Sequence, residues 1–357
     1  MSALARLIAR RIATTGPLSV ADYMAMALSH PEHGYYMTRD PLGRDFVTAP
    51  EISQIFGELI GIWCVAVWRQ MGAPERVVLT ELGPGRGTLM ADALRAASRD
   101  ASFMNAAEIA LVETSPVFRA AQRKILAARN VRWCDSLDTM PDGPVLAVAN
   151  EFFDALPAHQ LVWTEKGWRE RLVGGDESGL RFTLSAAETP TAALLAPSVR
   201  ADAPLGAVAE LQPAALGIAA ALAERIAAEG GAALIVDYGH AESAAGDTLQ
   251  AVRDNRPCDP LDAPGETDLT VHVDFAALAR AAAQKAAVWG PCTQADFLQR
   301  MGIGLRAERL TARATTRQAE RIASGVERLI APEQMGSLFK VLSFTRRDMP
   351  PPPGMSE

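Results

Sequence analysis

The strongest chemical signal in the chain is Glu81-Leu82-Gly83-Pro84-Gly85-Arg86-Gly87, a glycine-rich turn directly after the apolar run 77–80. Glycines let a chain turn tightly and let a ligand approach the backbone, and the amides of a following helix then face that ligand. A dinucleotide fingerprint spaces its glycines G-x-G-x-x-G. Here they fall at Gly83, Gly85 and Gly87, and position 88 is Thr88, so the third glycine is displaced. Glu81, two residues before the first glycine, is badly placed beside a pyrophosphate. A carboxylate there suits the cationic α-ammonium of a methionine moiety. The charge pattern around Glu81, Gly83, Pro84, Gly85 and Gly87 therefore favours S-adenosylmethionine (SAM) over NAD.

Further acids follow on successive strands. Glu113 ends the apolar run 109–112, where a carboxylate takes two ribose hydroxyls; NAD enzymes use the same device, so this residue indicates a nucleoside without naming it. Asp135-Ser136 follows the run 131–134, where an adenine amino group would be met, and equally suits a helix cap. Asn150-Glu151-Phe152-Phe153-Asp154-Ala155-Leu156-Pro157 follows the run 144–149. Amino-group methyltransferases commonly place an Asn/Asp-Pro-Pro-aromatic turn there, and here a carboxylate replaces proline. A guanidinium is planar, cationic and matched to carboxylates. The expectation is that Glu151, with Asp154 or Glu210, holds an arginine side chain, and that Asn150 borders the cofactor. The two phenylalanines are read as core. His272 is a candidate for taking up the proton released, and reads as readily as a loop-packing histidine. Transfer would be an in-line displacement at the SAM methyl, driven by alignment and by carboxylates that stabilise the cation.

Alternating strands and helices must position these residues. Runs at 77–82, 109–113, 131–134, 144–149 and 232–237, separated by helical stretches, predict a Rossmann-like parallel sheet covered on both faces. Residues 1–75 read as a helical N-terminal region with an active-site loop, including one helix from about Pro50 to Met71. The core is expected at 76–158 and 206–347. Insertions at 159–205 and 240–275 would form a substrate or partner region; the first reads as antiparallel strands, and 239–270 as a long loop. Helices are expected near 274–284, 293–301 and 316–329, a last strand at 339–344, and a disordered tail at 348–357.

Bulk properties limit the alternatives. The 357 residues suit one large α/β domain with insertions, or two domains. A net charge of -7 argues against a general nucleic-acid binder. No apolar run reaches about 18 residues, so no stable membrane insertion is expected. Cys64, Cys134, Cys258 and Cys292 are scattered, which predicts neither disulfides nor a metal site and fits a reducing cytoplasm.

The sequence resembles the MidA-type methyltransferases related to a mitochondrial complex I assembly factor, which also occur widely in bacteria. The resemblance rests on Gly43-Arg44-Asp45-Phe46-Val47-Thr48-Ala49-Pro50-Glu51-Ile52-Ser53, Phe56-Gly57-Glu58, the 81–87 turn, the 150–157 turn, Asp268-Leu269-Thr270-Val271-His272-Val273-Asp274-Phe275 and Met335-Gly336-Ser337-Leu338-Phe339-Lys340-Val341-Leu342. It spans nearly the whole chain. It implies a class I SAM-dependent methyltransferase sheet, SAM as cofactor, and an arginine-bearing protein acceptor such as a respiratory complex I subunit. The setting would be the bacterial cytoplasm, or the mitochondrial matrix in a eukaryote. A homodimer is compatible with the sequence and not required by it. Three other readings stay open: methylation of another acceptor, a SAM-binding assembly chaperone with weak or no catalysis, and an NAD-dependent oxidoreductase.

Overall fold

The computed structural model describes residues 2–176 and 178–355. It divides into two compact units. The first takes the chain up to Phe46 with Asp154–Gly217 and Glu242–Ala277; the second takes Val47–Phe153, Ile218–Ala241 and the chain from Leu278 on.

The second unit is built on a sheet whose strands are β1 (Val77–Leu82), β2 (Ala107–Val112), β3 (Val131–Cys134), β4 (Val145–Asn150), β5 (Gly231–His240), β6 (Ala287–Thr293) and β7 (Phe339–Thr345). They lie in the order β6-β7-β5-β4-β1-β2-β3. From β3 to β5 all pairings are parallel, and β7 runs antiparallel to both β5 and β6. Every residue of β1 and β4 is buried, the pattern of parallel strands covered on both faces. Chain winding reverses between β1 and β4, and open α/β sheets bind ligands outside the carboxyl ends of the strands at such a switch point.

The helices flanking that point are α1 (Gln54–Gln70), α2 (Thr88–Ala97) and α3 (Pro116–Ile125). The single helix expected from Pro50 is broken. Ser53 is extended (φ -153°, ψ 127°) between a short turn at Ala49–Ile52 and α1, and its hydroxyl caps α1 by accepting the Ile55 amide. α1 lies tight on α2: a Cβ added at Gly61 would sit 2.2 Å from the Ala93 carbonyl oxygen.

Sequence reading missed β6 and the helix Ile303–Thr311. Pro291 argues against a strand, and the structure tolerates it because β6 is an edge strand whose register shifts between Trp289 and Cys292. The tail expected to be disordered is ordered through Met355, which is buried in the core, and Gln70 donates to the Pro351 carbonyl at 3.3 Å.

The first unit holds helices Ala3–Thr15 and Val20–Ser29 and an antiparallel sheet ordered Leu18–Ser19, Gly167–Asp176, His159–Thr164, Val208–Leu211, with Gly179–Leu184 beside Gly167–Asp176. The expected 1–75 region is therefore divided near Phe46: its first helices pack with the inserted segments, and α1 packs with the sheet of the second unit. The 239–270 stretch, expected as a loop, forms a small sheet from Gln250–Arg253, Arg256–Pro257 and Asp268–Thr270. Among the described residues no helix is long and apolar enough to cross a membrane.

Candidate functional site

In the second unit, the carboxyl ends of β1 to β4 bring together Glu81, the glycine turn, Glu113, Asp135-Ser136 and Asn150-Glu151. The turn after β1 uses its glycines as conformational necessities. Gly83, Gly85 and Gly87 have φ of 61°, 52° and 86°. A Cβ on Gly83 would meet the Phe152 ring at 2.7 Å, so the ring after β4 lies directly against the cofactor turn. Phe152, expected as core, is therefore part of the site's wall.

Glu81 is buried, one of its carboxylate oxygens has no hydrogen-bond partner, and burial pushes its pKa up to about 8 despite a hydrogen bond from the Met90 backbone. Such an isolated buried carboxyl is costly unless a cation meets it. The Asn150 side-chain oxygen is also buried and unpartnered, while its amide nitrogen donates to Glu151 at 3.0 Å. These orphaned acceptors, beside a turn whose three glycines have positive φ and whose Gly83 has no room for a side chain, fit the ammonium end of SAM.

At the end of β2, Glu113 accepts the Ser115 amide (2.7 Å) and the Gln122 amide nitrogen (3.2 Å); burial raises its pKa. Gln122, fully buried on α3, also donates to the Gly85 carbonyl (2.7 Å) and accepts from Trp133 (2.8 Å), joining the glycine turn to β2 and β3. Arg119 donates to the Glu113 carbonyl (2.7 Å), the Cys134 carbonyl (3.0 Å) and the Asp135 carboxylate (2.7 Å). Ser136 is the N-cap position of a short 3-10 turn, Leu137–Thr139. Neither Gln122 nor Arg119 was singled out from sequence; hydrogen bonds across elements leave no local pattern.

After β4 the backbone turns sharply. Glu151 has φ 50°, a left-handed conformation uncommon outside glycine. Its carboxylate accepts the Ala49 amide at 2.9 Å. Glu51, two residues on from Ala49, accepts the Thr88 hydroxyl at 2.6 Å and lies 3.8 Å from the Arg86 guanidinium. The segment 48–53 is thus fastened to both the glycine turn and the turn after β4. Asp237, fully buried in the carboxyl-terminal half of β5, accepts the Phe152 amide (3.1 Å), the Phe153 amide (2.9 Å) and the Tyr238 amide (2.9 Å). Sequence reading passed over Asp237, although an acid ending an apolar strand was the signal used for Glu113.

The remaining candidates lie in the first unit. Glu210 is half-buried and accepts from Gln160 (2.7 Å), the Thr248 amide (3.1 Å), the Leu249 amide (3.1 Å) and the Thr248 hydroxyl. Burial raises its pKa, and the Thr248 and Gln160 hydrogen bonds oppose the rise. The His272 amide donates to the same Thr248 hydroxyl at 2.8 Å, and the Val271 amide donates to the Asp154 carbonyl at 3.0 Å. Asp154 is itself buried. A further acid, Asp268, is buried, accepts the Tyr36 hydroxyl at 2.7 Å and is pushed up to about 7 by burial.

A mixed sheet, parallel from β3 to β5, with this winding reversal, a glycine cradle and a buried acid with an unpartnered oxygen at its mouth defines a SAM-dependent methyltransferase. Residues 59–292 match the family model described as "Putative S-adenosyl-L-methionine-dependent methyltransferase", and the chain belongs to that family. It is 40% identical to the Drosophila melanogaster "Protein arginine methyltransferase NDUFAF7 homolog, mitochondrial", covering 96% of this chain and 84% of the relative. It is 38% identical to the human "Protein arginine methyltransferase NDUFAF7, mitochondrial", covering 94% and 81%. The crystal structure of a Burkholderia thailandensis protein bound to S-adenosyl-homocysteine superposes with a TM-score of 0.80 at 29% identity, over 99% of this chain and 93% of that one. SAM is the cofactor, as the displaced third glycine and Glu81 implied, and the oxidoreductase reading falls.

Proposed function

We propose that the chain transfers the SAM methyl group to an arginine guanidinium of a protein. The observation that carries this reading is the identity of 38–40% to relatives named protein arginine methyltransferases. The carboxylate of Glu151 at the carboxyl end of β4, where a planar cationic acceptor needs a negative partner, agrees with it. SAM supplies a methyl on a sulfonium, open to in-line attack by nitrogen. Glu81 and Asn150 would receive the methionine end, Gly83, Pro84, Gly85 and Gly87 would let it approach the backbone, Glu113 would take the ribose hydroxyls, and Asp135-Ser136 would meet the adenine. Glu151 would stabilise the guanidinium as it attacks. The proton released from the methylated guanidinium would pass to water; Asp154, Glu210 and His272, the further catalytic candidates of the sequence, lie in the first unit, whose inserted segments would take the protein partner. The family resemblance supports a respiratory complex I subunit as that acceptor, in the cytoplasm of a bacterium or the matrix of a mitochondrion.

The test is transfer of radiolabelled methyl from SAM to an arginine-bearing protein fraction, with the modified residue identified by mass spectrometry. The reading expects methylarginine from the wild type and a loss of about 100-fold or more in Glu151→Gln. Label on another residue type, or unchanged transfer in Glu151→Gln, would count against it. One observation favours a second reading: Glu151 is engaged by the Ala49 amide and by Asn150, as a structural staple would be. A catalytically dead Glu151→Gln protein that still supports assembly of its partner would establish a SAM-binding assembly factor instead.

A further inference from the structure

The acid Asp237 has a role that reaches beyond the fold. Its carboxylate receives the amides of Phe152 and Phe153 on one oxygen and that of Tyr238 on the other, in a site with no exposure to solvent. The Glu151-Phe152 and Phe152-Phe153 peptides are trans, so each carbonyl points opposite to the amide it shares a plane with. With both amides drawn to Asp237, the carbonyls of Glu151 and Phe152 are turned away from it. The Glu151 amide is in turn spent on the Val236 carbonyl, and the left-handed φ of 50° at Glu151 completes the turn. The Phe152 ring, packed where a Gly83 side chain would stand, places this turn against the cofactor cradle.

We propose that Asp237 is a positioning residue for methyl transfer: it fixes the turn after β4 so that the Glu151 and Phe152 carbonyls accept hydrogen bonds from the nitrogen that receives the methyl. The inference rests on the reading that the acceptor is a nitrogen and assigns the group that aims it. Glu151 supplies charge to the cation; the backbone carbonyls, held by Asp237, select the attacking direction. A strained non-glycine conformation persists where surrounding bonds over-determine it, and here the Asp237 carboxylate joins the Val236 carbonyl in doing so.

The test uses ligands alone and needs no acceptor. Sinefungin carries an amine on the carbon that replaces the methylsulfonium of SAM, whereas S-adenosyl-homocysteine has nothing there. Carbonyls that hold the attacking nitrogen line the approach to the transferring methyl, and the sinefungin amine projects along that approach; the wild type should therefore bind sinefungin about tenfold or more tighter than S-adenosyl-homocysteine. Asp237→Ala removes the acceptor of all three amides and frees the turn after β4. It is expected to bind S-adenosyl-homocysteine within about twofold of the wild type and to lose the preference for sinefungin. Absence of the preference in the wild type, or its survival in Asp237→Ala, would overturn the proposal. Equal loss of both ligands, or failure of the variant to fold, would assign Asp237 to the fold alone and overturn it too. If the sinefungin result holds while no methylarginine is found, the arginine reading fails and the positioning role stands.

Discussion

The proposed contact of Glu81 with the ligand ammonium predicts that cofactor binding releases a proton. Burial raises the Glu81 pKa to about 8, so at pH 7 the protonated form predominates in the ligand-free protein. The ammonium of SAM requires the ionised form, and its attraction brings the bound-state pKa down. Binding at pH 7 should then expel a proton from most molecules, and affinity should improve by up to about tenfold per pH unit between pH 6 and about 7.5, where the ligand amine stays charged. Calorimetry in buffers of different ionisation enthalpy measures the proton directly. Glu81→Gln should bind more weakly and release none. The sign for stability follows from the raised pKa. In the ligand-free protein the contribution of Glu81 is fully present below its ordinary value near 4.5 and is lost as the pH rises through about 8. The rise in Tm on adding SAM should therefore grow with pH across that window. Binding heats independent of buffer, or an affinity flat from pH 6 to 7.5, would refute the assignment of Glu81 to the ligand ammonium.

Two further outcomes concern the scaffold. Gly61→Ala drives a methyl into the Ala93 backbone and should destabilise by about 1–3 kcal/mol in denaturant unfolding, whereas Gly304→Ala, with nothing within 4 Å, should be neutral or stabilising by up to about 1 kcal/mol. Burial alone would raise the Glu58 carboxyl, but the guanidinium groups of Arg306 (2.6 Å) and Arg95 (2.9 Å) outweigh it and hold it below the usual range. Its contribution is thus present above the ordinary glutamate pKa and lost as the pH falls through the depressed one. Arg306→Met should cost about 1–3 kcal/mol at pH 7 by the same assay, and less in acid; an equal effect at both pH values would dismiss the ion pair as the cause.

What sequence revealed and what it hid follow one physical division. The glycine turn and Glu81 were readable because positive φ and a misplaced carboxylate are local demands that only certain residue types meet. The parallel strands were readable because burial on both faces leaves continuous apolar runs such as Val145–Asn150. By contrast, the break at Ser53 depends on which amide a hydroxyl caps, and β6 exists because β7 offers it an edge. Gln122 and Asp237 act through bonds to segments 37 and 85 residues away, a relation that no window of sequence contains.

The most direct test of the account is calorimetric titration of the purified protein with SAM, S-adenosyl-homocysteine and NADH, beside Gly85→Val. A branched side chain at Gly85 must adopt φ near 52°, which strains the turn. The account predicts binding of both SAM-type ligands, none of NADH, and loss of the former in a folded Gly85→Val protein. Binding of neither SAM nor S-adenosyl-homocysteine by the wild type, or their undiminished binding by Gly85→Val, would contradict it.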